Sequence, residues 1–382
     1  MHFHFSIPSS IAFAPGTAET VGHLLRGFET TKVLCIYDSE IKKAGIADTV
    51  LASLNSAKLE VTEWGAVQPN PTDELVEEGA ILAREAGIEA IVAVGGGSVI
   101  DAAKAVSILM TNESPINQYD GINMVKNPGV QVIAIPTTAG SASEVTSFTV
   151  ITDTKLQKKM VIGGQNVGAR VALIDPLLTF AVPPALTAST GMAALAHAIE
   201  AYLSVANSIP TDINALKAIE LISRNLPEAV KNGSNKEART NTLLGSVLAG
   251  FAYNSAILGL AHSISHPLCI HSGVSHGFAN AAVLPYVMEY NGQAVPERVK
   301  DIGVAMGLEV KDLAANDAVS ATVAAVLQLS RTIGIPTLKE LGASRDDFEK
   351  IALDSLKEIS TIFNPRNPSK EDVIAILEKA FQ

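Results

Sequence analysis

The chain has 382 residues, 47% of them hydrophobic, and a formal net charge of −11. That length exceeds what one hydrophobic core usually serves, so two domains are expected, and an acidic chain without clustered Lys and Arg argues against a nucleic-acid surface. No apolar run nears the roughly twenty residues of a membrane span, no export signal is expected at the start of the chain, and Cys35 and Cys269 lie in apolar runs where buried thiols are expected, so a cytoplasmic protein without membrane contact is expected, its partners small molecules or copies of itself.

Taken in order, the first half alternates β-rich runs with amphipathic ones. Lys32–Tyr37 reads as a strand, Ile41–Ser56 as a helix, and Leu59–Trp64 as a strand. A helix near Thr72–Ala86, a strand at Ala90–Val94, a helix from Val99 to Met110 and a strand at Val130–Ile135 continue the rhythm. Strands alternating with helices predict βαβ units and a mainly parallel sheet. Around Pro183-Pro184 the β-branched runs end, and Ala, Leu and Ile then recur at helical spacing. The predicted organisation is an α/β domain with a parallel, Rossmann-like sheet over residues 1–180 and an all-α domain over 181–382.

Two loops at strand ends are candidate ligand sites. In Gly95-Gly-Gly-Ser-Val-Ile-Asp101 three glycines join a buried strand to a helix, so backbone N–H groups and the positive helix end can meet an anion such as a pyrophosphate. A tight strand-to-helix turn is the plainer account of the same residues. Asp101 and Lys104 stand one helical turn apart near that end, where an ordinary surface pair explains them equally well. Pro136-Thr-Thr-Ala-Gly-Ser-Ala-Ser-Glu144 puts small hydroxyls at a second strand end, suited to a ligand crevice or to helix capping. Asp38 ends the first strand, where an acidic residue binds an adenosine ribose hydroxyl or caps a turn.

The histidines gather in the second half. His197, His262, His266, His271 and His276 fall within one stretch, and His262 and His266 share a helical face by their four-residue spacing. Three convergent imidazoles can hold zinc or iron(II), and an anionic fourth ligand would tighten the site. One turn before His197 stands Ala193, which cannot supply one.

Together, Gly95–Lys104, Pro136–Thr146, Thr190–Tyr202, Gly259–Pro267 and His276-Gly-Phe-Ala-Asn280 closely resemble the iron-containing, or group III, alcohol dehydrogenase family, and Phe13-Ala-Pro-Gly16, Asp175-Pro-Leu-Leu-Thr179 and Asn364-Pro-Arg366 extend the likeness nearly end to end. The resemblance implies a dehydroquinate synthase-like architecture in which a cleft joins a nicotinamide cofactor to a small alcohol or aldehyde. It assigns Gly95, Gly96, Gly97 and Ser98 to the pyrophosphate, with Asp101 near the same end. Thr137, Thr138 and Ser141 take the phosphate and nicotinamide side, and Asp38 favours NAD over NADP. His197, His262 and His276 map onto the metal-binding histidines and Ala193 onto the metal-binding aspartate, so Fe2+ or Zn2+ is expected to be weakly held or absent. Without a Lewis acid, His266 or His197 becomes the expected proton donor, and aldehyde or ketone reduction the favoured direction. A homodimer paired through the strand within Ile7–Gly16 is also implied. Ala193 keeps a nucleotide-binding pseudoenzyme open, and the shared architecture keeps a non-redox lyase open.

Overall fold

The apolar run from Ala90 has no polar position to turn toward water, and such strands are stable where helices cover both faces of a parallel sheet. The computed structural model describes residues 3–382, and contacts divide the chain into two units, the first made of Ile7–Thr138 and Ala142–Ala181. Its strands are β1 (Ser10–Phe13), β2 (Lys32–Asp38), β3 (Glu60–Val67), β4 (Ala90–Gly95), β5 (Gly121–Ile122), β6 (Gln131–Pro136), β7 (Phe148–Asp153), β8 (Lys158–Gly163) and β9 (Val171–Ile174). Its helices are α1 (Val21–Gly27), α2 (Ser39–Lys43), α3 (Ile46–Ser56), α4 (Asp73–Glu85) and α5 (Gly97–Leu109). A six-stranded parallel sheet runs in the order β1-β9-β6-β4-β2-β3.

Alternation along the strands builds two cores. Leu34, Ile36, Ile91, Ala93, Val132 and Ala134 join α4 and α5 on one face, while Val33, Cys35, Val92, Val94, Ile133 and Ile135 join α1 and α3 on the other. Each of the valines, leucines and isoleucines among them contributes about 1.5–3 kcal/mol by leaving water. The helix expected over 41–56 is interrupted, because Gly45 takes φ 72° and starts α3 afresh. A second sheet, β5-β8-β7, was not expected; it contains the antiparallel pair β7 and β8. Phe148 packs over Gly163 there, where a Cβ would come within 2.6 Å of the ring.

The second unit comprises the segment up to Ser6, Ala139–Ser141 and Val182–Gln382, so it includes part of one predicted ligand loop. Its regular elements are α6 (Pro184–Leu203), α7 (Ile209–Lys231), α8 (Lys236–Ala256), α9 (Leu260–His271), α10 (His276–Gly292), α11 (Pro296–Ala305), α12 (Ala315–Thr332), α13 (Phe348–Ser355) and α14 (Lys370–Phe381), with short 3₁₀ turns between some of them. Pro184 opens α6, at a position whose N–H has no helical acceptor anyway. Pro267 does not end α9, which runs on to His271 without one amide hydrogen bond. Among the described residues no single helix is long and apolar enough to cross a membrane.

Candidate active site

In the α/β unit the predicted cofactor residues converge through strand register. Tyr37 pairs with Val94 and Gly95 with Pro136, so Asp38, the glycine turn and Thr137 follow one another along the carboxyl edge of the sheet. The chain leaving β2 passes through α2 into α3 on one face, whereas the chain leaving β4 enters α5 on the other. That reversal opens a crevice, the usual dinucleotide position in open α/β sheets. Val99 and Ile100 donate their N–H groups back to Gly96 O. The first-turn amides before them have no intrahelical acceptor, and they stand at the positive end of α5. A Cβ on Gly96 would lie 3.3 Å from Thr138 Oγ1, a tight contact that glycine avoids where the turn passes beside that hydroxyl. Thr137 is buried, and its Oγ1 has no hydrogen-bond partner in the protein. An orphaned hydroxyl beside a glycine-lined helix start fits a bound dinucleotide.

Two of the predicted cofactor residues are otherwise engaged. Asp38 caps α2, its Oδ1 accepting from Glu40 N and Ile41 N at 2.9 Å each. Asp101 is hydrogen-bonded within the protein: Oδ1 accepts from Ser143 Oγ and Oδ2 from Val150 N at 3.1 Å. Ser98 stands in the first turn of α5, and Ser141 belongs with the helical unit, its carbonyl accepting from Tyr253 Oη at 2.6 Å.

The helical unit assembles the histidines. Gly277 lets α10 approach α6, since a Cβ there would come 2.8 Å from Ser189 O. His197 and His262 lie stacked with centroids 4.6 Å apart, the Tyr253 ring lies tilted against His197 at 4.6 Å, and His276 sits 5.4 Å from both His262 and His266. His197 Nδ1 lies 3.2 Å from Gly140 O, a contact that assigns its proton to Nδ1. His262 Nδ1 meets Glu200 Oε2 in a short contact, and Ala261 N donates to Glu200 Oε1 at 2.5 Å. With the His262 proton on Nδ1, its buried Nε2 is an acceptor that no protein atom satisfies. His276 Nε2 stands 3.1 Å from Asn280 Nδ2. His266 Nδ1 lies 3.0 Å from Glu358 Oε2, and His271 Nε2 is taken by Asp354 at 2.8 Å.

Burial sets the charges. It holds His197 well below the usual imidazole range, and the neighbouring His262 pushes in the same direction. Burial does the same to His262, aided by His266. Glu200 is pushed up to about 7 by burial, against the pull of the Ala261 and Gly259 amides. His197 is therefore neutral at pH 7, which makes it a poor proton donor.

Position 193 adds no anionic ligand to these histidines. Ala193 presents a methyl group, two of the three imidazoles are stacked face to face, and among the described residues no group of three or more His, Cys, Asp or Glu converges as a coordination set. Glu200 could have been suspected, one turn after His197 on α6. Glu358 carries no sequence signal, because it lies 92 residues from His266.

A family model for iron-containing alcohol dehydrogenases matches residues 8–176, and the C-terminal model of the same family matches residues 187–381. The 1,3-propanediol dehydrogenase of Klebsiella pneumoniae is 40% identical over 99% of both chains. A crystal structure of a 1,3-propanediol oxidoreductase superposes with a TM-score of 0.97 at 40% identity, covering 100% of both chains. The sulfoacetaldehyde reductase of Bifidobacterium kashiwanohense, solved in complex with NAD+, gives a TM-score of 0.88 at 29% identity over 100% of this chain and 99% of that one. The glycine-turn crevice, the histidine cluster and these matches along nearly the whole sequence place the chain in the iron-containing alcohol dehydrogenase family.

Proposed function

We propose that this alcohol/aldehyde oxidoreductase uses NAD(H) and works chiefly as a reductase of small aldehydes or ketones, with a divalent metal held weakly or not at all. The crevice of the α/β unit supports the cofactor reading. The Gly95–Ser98 turn binds the pyrophosphate, Asp38 the ribose, and Thr137, Thr138 and Ser141 the phosphate and nicotinamide side. NADH, when bound, supplies the hydride.

The observation that carries the reductase reading is the Glu358 carboxylate 3.0 Å from Nδ1 of His266. As a carbonyl carbon gains hydride, its oxygen becomes basic and needs a proton. Glu358 accepts from Nδ1, which fixes the ring's orientation and leaves Nε2 as the atom that delivers a proton to the carbonyl oxygen. His197 cannot share this role, because burial keeps it neutral. A metal on three neutral imidazoles would keep its full +2 charge with no anion from position 193, which weakens binding. Alcohol oxidation then lacks a Lewis acid for the alkoxide, so reduction is the easier direction. The same reading has two copies pairing through β1, an edge strand of the sheet.

The test is NADH consumption with a panel of small aldehydes and ketones, in one preparation divided between chelator and added iron(II) or zinc. Equal rates in both halves are expected, with His266→Ala lowering kcat by about 10²–10⁴-fold. Activity confined to the metal-supplied half would refute the metal-independent step, and full activity in His266→Ala would remove the proposed donor.

A further inference from the structure

Helix α9 carries His266 directly before Pro267. A proline takes one amide hydrogen bond out of a helix and crowds the residue before it, so the backbone that bears the proposed proton donor is weakened at that donor. Polar ties from other elements stand on both sides of the weak point. Ahead of it, Glu200 accepts from Ala261 N and meets Nδ1 of His262. Beyond it, His271 ends α9 with its Nε2 2.8 Å from Asp354 Oδ2, a contact that assigns the ring proton to Nε2. Asp354 lies on α13, and Glu358, the partner of His266, follows it by four residues. Two rungs therefore join the same pair of segments, His266 with Glu358 and His271 with Asp354, taken in opposite chain directions. Five residues of helix set them about 7.5 Å apart along α9.

The backbone between the rungs transmits position. Lys357 N donates to Asp354 O at 3.0 Å and Glu358 N to Ser355 O at 3.3 Å, and the Thr361 hydroxyl closes the turn on Ser355 O at 2.7 Å. Ser355 and Thr361 are both buried, so water does not compete for that closure. Holding Asp354 thus holds Glu358. The outer rung is no anchor of the fold. The Asp354 side chain is 34% exposed and shared with Lys357, and an ion pair so open to water adds little stability. We infer that His271 and Asp354 are positioning residues for proton transfer: they fix α13 and the turn after it against the far end of α9, so that Glu358 stays on Nδ1 of His266 and the ring presents Nε2. The inference rests on the proton-donor reading above. It assigns His271 no contact with substrate or cofactor.

The experiment is aldehyde reduction at saturating NADH by wild type, Asp354→Ala, Asp354→Asn, Glu358→Ala and the double variant Asp354→Ala/Glu358→Ala, with the NADH Kd of each read by fluorescence titration. Asp354→Ala is expected to lower kcat about tenfold while the Kd stays within about twofold, because a displaced proton donor slows the chemical step and leaves cofactor binding alone. Asp354→Asn keeps an oxygen that accepts from His271 and should return kcat to within about twofold of wild type. The double variant should be no slower than Glu358→Ala, since Asp354 acts through that carboxylate. Unchanged kcat in a folded Asp354→Ala, an equal loss in Asp354→Asn, or losses that multiply in the double variant would overturn the inference while leaving His266 as the donor. Full activity in Glu358→Ala, or a wild type that reduces no carbonyl, would overturn the reading beneath it and the inference with it. Should Asp354→Ala not fold, His271→Ala breaks the same rung from the other side. It must show the same loss of kcat, and an unchanged value would be decisive against the inference.

Discussion

At the scale of single residues, Asp38 has two roles that experiment can separate. Its Oδ1 caps α2, and loss of such a cap costs about 0.5–2 kcal/mol. If the carboxylate also meets an adenosine ribose, it repels a 2′-phosphate. Asp38→Ala is therefore expected to lower Tm modestly and to shift the NADPH-to-NADH ratio of kcat/KM toward NADPH by about tenfold or more. A changed Tm with an unchanged ratio would leave Asp38 as a cap alone. The histidines show how far residue-level reading extends. Their helical spacing was visible in the sequence, because side chains four apart on a helix share a face. Their hydrogen-bond partners were not: Glu200 meets His262 across 62 residues, and Glu358 meets His266 across 92.

Among the elements, the turn from α8 to α9 stands out. Ile257 has φ 62° and ψ 179°, a conformation almost confined to glycine, and it precedes the helix that carries His262 and His266. Two side chains from other elements secure the start of that helix: Asn364 Oδ1 accepts from Leu260 N at 3.2 Å, and Glu200 Oε1 accepts from Ala261 N. The Asn364-Pro-Arg366 motif thereby gains a physical account as a capping group for α9. Glycine normally destabilises relative to alanine, but the order should reverse here. Ile257→Gly is expected to be more stable than Ile257→Ala by about 1 kcal/mol or more, measured by denaturant unfolding. The opposite order would show that the backbone conformation carries no strain. The α/β rhythm was legible because strands and helices bury different periodicities. The split between α2 and α3 and the pairing of β7 with β8 were missed, one turning on a single glycine and the other on a partner strand.

For the molecule as a whole, buried carboxyl groups set the dependence of stability on pH. Burial pushes Glu144 up to about 7 from an ordinary 4.5. Its folded form holds a proton that the unfolded chain has released, so its stabilising contribution is complete below about pH 4.5 and is lost as pH rises through 7. Lys104, lowered by burial to about 8, changes above that window and in the other sense, regaining stability as pH rises. Glu144→Gln should therefore match wild type near pH 5 and exceed it by about 2 kcal/mol at pH 8, read from thermal or urea unfolding at both values. A constant difference across that range would place the Glu144 titration elsewhere. The α/β and helical halves, the glycine turn and the helical spacing of the histidines could be read along the chain, because hydrophobic period and turn chemistry act over a few residues. The fold alone settled that Asp101 and Lys104 face inward onto residues 143–150, that Glu200 and Glu358 stand behind His262 and His266, and that His197 stacks on His262. Each of those outcomes depends on groups far apart in the chain meeting where water is excluded, and no local pattern encodes such a meeting.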